Sequence, residues 1–129
     1  MPPVALVVDD SMLIRHTVCR FLEEHGFEVE TATNGLEAVA LLDSHLPDLI
    51  ITDMQMPKMT GPELITELKR RGQTRGIPVV VISGRESGFD NQEKRADYCI
   101  NKDIDIGSQL EKALQAVRGA AARGQSAGE

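Results

Sequence analysis

The chain has 129 residues, of which 41% are hydrophobic, and this size and composition suit one domain with a single core. Its net charge of -6, from 14 basic and 20 acidic residues, argues against general affinity for nucleic acids. The longest apolar run, in "IPVVVI", is far shorter than the roughly 20 residues of a membrane helix, and the start "MPPVALVV" lacks the basic region of a signal peptide.

Short β-branched runs alternate with segments of helical periodicity along most of the chain. We predict strands at Val4–Val8, Glu28–Thr31, Asp48–Thr52, Pro78–Ile82 and Tyr98–Asn101, and helices at Met12–His25, Gly35–Ser44, Pro62–Arg71 and Asp105–Arg118. Asn34 and Glu37 form a capping pattern at the start of the second helix. Strands and helices that alternate in this way are typical of a parallel sheet covered on both faces, and runs such as "VALVV" lack polar alternation, as doubly covered strands should.

Two segments and the cysteines need separate interpretations. The segment Gly84–Ala96 contains two glycines and few apolar residues, which predicts a short helix or a loop. The small, polar sequence "GAAARGQSAGE" at the end predicts a flexible tail over residues 119–129, after a domain over residues 1–118. Cys19 and Cys99 have no metal-ligand spacing and predict buried free thiols in a reducing cytoplasm.

Polar residues follow the predicted strands at the points where these strands end. Asp9 and Asp10 follow strand one, Asp53 follows strand three, Ser83 follows strand four and Lys102 follows strand five. The carboxyl ends of parallel strands meet at one edge of a sheet, where α/β proteins place their sites. Any one of these residues could be an ordinary helix cap or surface residue. Together, three carboxylates indicate Mg2+, and a hydroxyl with an ammonium indicates a phosphoryl anion beside it.

The segments "VVDDS", "LIITDMQMPKMTG", "VVVIS" and "NK" resemble the receiver domain of response regulators in two-component signalling, which is CheY-like. The resemblance covers residues 4 to 118, and "DMQMPKMTG" is its most specific local element. It implies a flavodoxin-like, doubly wound sheet of five parallel strands in the order 2-1-3-4-5. The weak segment between strands four and five would then be a shortened or irregular fourth helix.

The resemblance also implies roles for single residues. Asp53 would accept a phosphoryl group from a phosphohistidine of a sensor histidine kinase or a phosphotransfer protein. Asp10, Asp53 and the backbone carbonyl of Gln55 would ligate Mg2+ directly, and Asp9 would act mostly through water. Ser83 would hydrogen-bond a phosphoryl oxygen. These roles agree with the general needs of phosphoryl transfer, which are positioning and neutralisation of charge.

Lys102 would pair with Asp53 before phosphorylation and with the phosphoryl group after it. The implied function is a signalling switch, which catalyses only its own phosphorylation and dephosphorylation and changes the binding of a downstream protein target. No output domain follows within this sequence, which favours a free-standing regulator. We expect this domain neither to contact nucleic acid nor to insert into a membrane.

Three features depart from the family pattern. Lys102 is followed by Asp103 where the family usually has proline, so we predict a trans peptide bond between them. Cys99 occupies the position of the family's switch aromatic, and Tyr98 stands one residue earlier, which predicts ordinary packing for Tyr98. The segment between Ser83 and Lys102 is shorter than usual.

Two other functions compete with a phosphorylated receiver. A pseudo-receiver would keep the fold as an interaction module that phosphorylation does not regulate; the altered fifth strand allows this alternative, and the complete set of site residues argues against it. A flavin-binding protein or a phosphoester hydrolase on the same topology would need a loop rich in Ser, Thr and Gly, or a spacer between the acids. The sequence "DDSMLIR" has neither feature.

Overall fold

The structure is a computed structural model that describes residues 2–84, 95–102 and 105–128. Within these residues the strands are β1 (Val4–Val8), β2 (Glu28–Ala32), β3 (Leu49–Asp53), β4 (Val79–Ser83) and β5 (Tyr98–Asn101). The helices are α1 (Met12–Glu24), α2 (Gly35–Leu42), α3 (Gly61–Arg70) and α4 (Ile106–Gly128). The expected short helix or loop over Gly84–Ala96 falls mainly on residues outside these ranges, and so does the bond between Lys102 and Asp103.

The five strands form one parallel sheet in the order β2-β1-β3-β4-β5, which confirms the flavodoxin-like topology. Strand β3 lies at the centre, and all five of its residues are buried. The register pairs Val8 with Thr52 and Asp53 with Ile82, so the strands β1, β3 and β4 end at the same edge. This edge is where the sequence placed the candidate site.

Alternate residues of each strand enter two separate cores, one on each face of the sheet. One core packs α2 and α3 against the sheet and includes Leu6, Val8, Ile50, Val79, Val81, Ala38, Leu42, Leu64, Ile65 and Leu68. The other packs α1 and α4 and includes Ala5, Val7, Leu49, Ile51, Val80, Ile82, Ile100, Val18, Leu22, Leu110, Ala113 and Leu114. Tyr98 packs against this second core and Cys99 against the first, so the packing predicted for Tyr98 is confirmed.

The first two helices begin at the predicted residues but end earlier than predicted, at Glu24 instead of His25 and at Leu42 instead of Ser44. Ser11 caps α1 through a bond from the Ile14 amide, and Asn34 caps α2 through a bond from the Glu37 amide. Helix α4 continues past Arg118, its expected end, to Gly128. The flexibility of the tail stays a prediction. Among the described residues, no helix has both the length and the apolar character needed to span a membrane.

A capping box fixes the start of α3, directly after the loop that follows β3. The Thr60 hydroxyl accepts from the Glu63 amide at 3.3 Å, and the Glu63 carboxylate accepts from the Thr60 amide at 2.8 Å. We expect Thr60→Ala to lower the free energy of unfolding by about 1 kcal/mol, because it leaves the Glu63 amide without this acceptor. Urea denaturation would measure the change. Thr17→Ala, on an exposed face of α1, is the control; an equal loss there would contradict a capping effect.

Candidate functional site

Three carboxylates meet at the carboxyl edge of the sheet. Asp9 directly follows β1, Asp10 comes next, and Asp53 is the last residue of β3. Each offers an oxygen atom, and these oxygens all lie within 4.8 Å of one another. Asp9 and Asp53 are buried and Asp10 is exposed. The parallel register explains this placement, since the neighbours Val8 and Thr52 are paired one residue earlier.

The buried carboxylate of Asp9 is bonded on one oxygen only. Its Oδ1 accepts from the Ser11 amide at 2.8 Å, which also turns the chain into α1. Its Oδ2 has no hydrogen-bond partner among the described residues, although it is fully buried. The ammonium of Lys102 lies nearby, with 3.7 Å between Nζ and Oδ2. A buried carboxylate oxygen in this state favours a nearby positive charge.

Lys102 supplies a positive charge to the site from the end of β5. Its Nζ lies 3.1 Å from Oδ1 of Asp53, which makes a charged hydrogen bond. Its backbone amide donates to the carbonyl of Ser83 at 2.9 Å, so the start of its side chain is fixed to β4. One lysine therefore faces three carboxylates, and the site has an excess of negative charge.

Burial and crowding change the protonation of these groups. Burial, reinforced by the charge of Asp9, raises the pKa of Asp53 from 3.8 to about 6, against the opposing effect of Lys102. Burial also raises the pKa of Asp9. Burial alone would lower the pKa of the Lys102 ammonium, but the charges of Asp53 and Asp9 outweigh it, and the net pKa is raised. Lys102 is therefore held in its charged form, but its single positive charge does not balance the negative charges of the three carboxylates.

The loop after β3 holds Asp53 in place from the other side. The Met54 amide donates to the carbonyl of Ile82 at 3.0 Å, and the Gly61 amide donates to the carbonyl of Met54 at 2.9 Å. Met54 and Met56 are buried in the core beside α3. Lys58 adopts a left-handed backbone with φ of 70° at the tip of this loop. The chain therefore turns back tightly next to Asp53.

The predicted site residues occupy one edge of the sheet, but contacts are described for only some of them. The structure brings Asp9, Asp10, Asp53 and Lys102 together. Ser83 ends β4 and is paired in register with Asn101, and Gln55 is exposed in the loop after β3. The roles of all six residues as ligands, acceptor or donors stay predictions.

Sequence reasoning missed Arg15 as a part of this edge. Its guanidinium donates to the backbone carbonyl of Asp9 at 2.8 Å from the second turn of α1. This bond ties α1 to the end of β1 and keeps a permanent positive charge beside the acidic site. The sequence could have indicated this contact, because a basic residue in α1 follows the two acids closely and the start of α1 must lie near the end of β1.

The donors and acceptors of the site suit a hard cation together with an anion. Carboxylate oxygens are the ligands that Mg2+ prefers, and the bare Oδ2 of buried Asp9 is an atom that gains from a nearby cation. Lys102 offers an ammonium that could pair with oxygens of a bound anion. The residues present therefore fit Mg2+.

Comparisons with known proteins agree with this geometry. The family model described as the response regulator receiver domain matches residues 5–115. The polar-differentiation response regulator DivK of Brucella anthropi is 32% identical, over 86% of this chain and 93% of DivK. The phosphate regulon transcriptional regulatory protein PhoB of Escherichia coli K12 is 42% identical, over 75% of this chain and 44% of PhoB.

Relatives of other lengths give the same result. The chain spans only 37% of the length of the response regulator MprA of Mycobacterium sp. strain KMS, with 36% identity. Among solved structures, the chemotaxis response regulator CheY4 of Vibrio cholerae is similar with a TM-score of 0.80 and 32% identity, over 91% of this chain and 99% of CheY4. The strand order, the three carboxylates at one edge and these matches place the chain in the response regulator receiver family of two-component signalling.

Proposed function

We propose that Asp53 accepts a phosphoryl group in a reaction that depends on Mg2+, and that this modification changes the binding of a partner protein. The phosphoryl donor is a phosphohistidine of a sensor histidine kinase or of a phosphotransfer protein. The observation that carries the proposal is the contact of 3.1 Å between Lys102 Nζ and Asp53 Oδ1, inside a group of three carboxylates.

The transfer itself is a single displacement at phosphorus. A carboxylate oxygen of Asp53 forms a bond to phosphorus while the bond between phosphorus and the histidine nitrogen breaks, and the imidazole leaves with that electron pair and takes up a proton. Lys102 moves its ion pair from the carboxylate to the new phosphoryl oxygens. Ser83 donates a hydrogen bond to one of them. The protein acts mainly by position and charge, as phosphoryl transfer requires.

Asp10, Asp53 and the backbone carbonyl of Gln55 would hold Mg2+, with Asp9 acting through water. When bound, Mg2+ supplies positive charge next to the oxygens of the transferred group. The excess of carboxylates over Lys102 supports this assignment, because the carboxylates repel an incoming phosphoryl anion in the absence of a cation. Asp9 also supports it through its bare, buried oxygen.

Phosphorylation with acetyl phosphate tests the proposal without the natural kinase. We expect intact-protein mass spectrometry to find one added phosphoryl group in the presence of Mg2+ and none in EDTA. Asp53→Asn should abolish the adduct, whereas Asp43→Asn, an exposed carboxylate in the Arg71 ion pair, should leave it unchanged. Absence of the adduct in the wild-type protein would favour the pseudo-receiver. An adduct that persists in Asp53→Asn would mean a different acceptor.

A further inference from the structure

Strand β5, which Lys102 follows, lies at the edge of the sheet, and its last residue, Asn101, has backbone groups that β4 does not bind. β5 pairs with β4 on one side, and Ser83 is the register partner of Asn101. The Lys102 amide donates to Ser83. Since successive residues of a strand direct their backbone groups to opposite sides, the amide and carbonyl of Asn101 face the open side of the sheet.

The side chain of Gln109 occupies this open side and binds both groups. The Asn101 amide donates to Oε1 of Gln109 at 2.9 Å, and Nε2 of Gln109 donates to the Asn101 carbonyl at 2.8 Å. One primary amide thereby offers the same donor and acceptor that a further strand would offer. Its Nε2 also lies 3.2 Å from the carbonyl of Asp105, which keeps the amide oriented on its own helix.

Gln109 is itself held in a fixed position. It lies near the start of α4, and the next residue, Leu110, is fully buried in the core between α4 and the sheet. The core therefore fixes the helix, the helix fixes the amide, and the amide fixes the backbone of Asn101. The residue after Lys102 in the sequence is Asp103, not a proline that would restrict the backbone by its ring.

We propose that Gln109 is a positioning residue that directs Lys102 into the acidic site by binding the backbone of Asn101. Lys102 has a long side chain with much conformational freedom, and its 3.1 Å contact with Asp53 requires a fixed starting point. The backbone of Asn101 directly precedes that of Lys102, so fixing Asn101 fixes the start of the Lys102 side chain. Gln109 acts on the site through Asn101 and Lys102, which makes it a positioning residue. The inference rests on the proposed function as far as it concerns phosphorylation of Asp53.

Two substitutions at residue 109 test this inference. Gln109→Met keeps the length of the side chain and removes both bonds to Asn101, and Gln109→Glu keeps the acceptor and loses the donor. Gln115→Met, on an exposed face of the same helix, is the matched control. The readouts are the NMR signal of the Lys102 ammonium, which an ion pair protects from exchange with water, and the rate of phosphorylation by acetyl phosphate. Urea denaturation shows that each variant is folded.

We expect Gln109→Met to lose the Lys102 ammonium signal and to slow phosphorylation by about tenfold, as expected for a displaced charged group. Gln109→Glu should fall between this variant and the wild type, and Gln115→Met should equal the wild type. If Gln109→Met does not fold, Gln109→Glu carries the test. A wild-type signal and rate in a folded Gln109 variant would overturn the inference.

The ammonium signal separates this inference from the proposed function, because it needs no phosphoryl group. A wild-type protein that is never phosphorylated would refute the proposed function, and loss of the Lys102 signal in Gln109→Met would still support the positioning role. A wild-type protein that is phosphorylated normally, with no effect of Gln109→Met on signal or rate, would refute the positioning role alone.

Discussion

Replacing Asp53 by Asn is expected to raise the free energy of unfolding at neutral pH, in the absence of divalent cations, by about 2–3 kcal/mol. Asp53 is only 3% exposed. Burial and the charge of Asp9 raise the pKa of its carboxyl from 3.8 to about 6, so at neutral pH the folded protein holds a charge that its surroundings disfavour. Asn has nearly the same shape and removes that charge.

Loss of the ion pair with Lys102 opposes this gain, and the surroundings of Lys102 decide which effect is larger. Removal of one partner of a buried pair usually destabilises a protein because the other charge is left alone. Here the side chain of Lys102 is 23% exposed and keeps Asp9, whose Oδ2 lies 3.7 Å from its Nζ. Since a second carboxylate remains for the lysine, relief of burial and repulsion at Asp53 is the larger effect.

The gain depends on pH in a direction that follows from the raised pKa. The pKa of Asp53 is about 6 in the folded protein and 3.8 in the unfolded chain, so between these pH values the folded protein holds the proton more strongly. The stability contributed by this group is thus present in full below 3.8 and lost as the pH rises through about 6. The difference between Asp53→Asn and the wild type should be largest at neutral pH and should disappear below about pH 4.

Urea denaturation in EDTA at several pH values would measure this difference. Asp43→Asn is the control, because Asp43 is exposed and pairs with Arg71 at the surface. A destabilised Asp53→Asn variant at neutral pH would contradict the prediction, and so would a gain that is equal at acidic and neutral pH. Under the proposed function, Mg2+ at ten times its dissociation constant should stabilise the wild type by about 1.4 kcal/mol, and Asp53→Asn by less.

The fold could be predicted from the sequence because the strands β1, β3 and β4 are buried on both faces. Runs such as "VALVV" have no polar alternation, and their apolar residues enter the two cores in turn. The predicted and observed elements differ at their ends. Strand β3 begins one residue after the expected Asp48, whose carboxylate instead accepts from the Val4 amide at 2.8 Å. Helix α4 extends past Arg118 because several alanines follow Gly119, and alanine has the highest helix propensity.

The part of the candidate site that lies at strand ends could be predicted from the sequence. Asp9, Asp53 and Lys102 directly end or follow strands, so the parallel topology brings them together. Arg15 and Gln109 reach the backbone of this edge from helices. Their contacts depend on how α1 and α4 lie on the sheet, and periodicity alone does not determine the position of a helix to the accuracy of a hydrogen bond.

Gly61→Ala is expected to lower the free energy of unfolding by about 3 kcal/mol, through overpacking directly behind Asp53. A Cβ atom at residue 61 would overlap the carbonyl oxygen of Asp53 and would lie 2.9 Å from the Cα of Met54. Both are backbone atoms of the β3 end, so no side chain can move aside. The Gly61 amide also donates to the Met54 carbonyl at 2.9 Å, which keeps the two segments in close contact.

Gly72→Ala separates this steric effect from the general effect of replacing a glycine, since a Cβ at residue 72 would meet nothing within 4 Å. Gly72→Ala should change the stability by less than about 0.5 kcal/mol. Because relief of the overlap must move the Asp53 carbonyl, Gly61→Ala should also shift the backbone NMR signals of Asp53 and Met54, and under the proposed function it should slow phosphorylation. Equal urea midpoints for the two variants would show that the loop between Asp53 and Gly61 has room for a methyl group. The close contact between the start of α3 and the end of β3 would then not be what holds the Asp53 carboxylate in place.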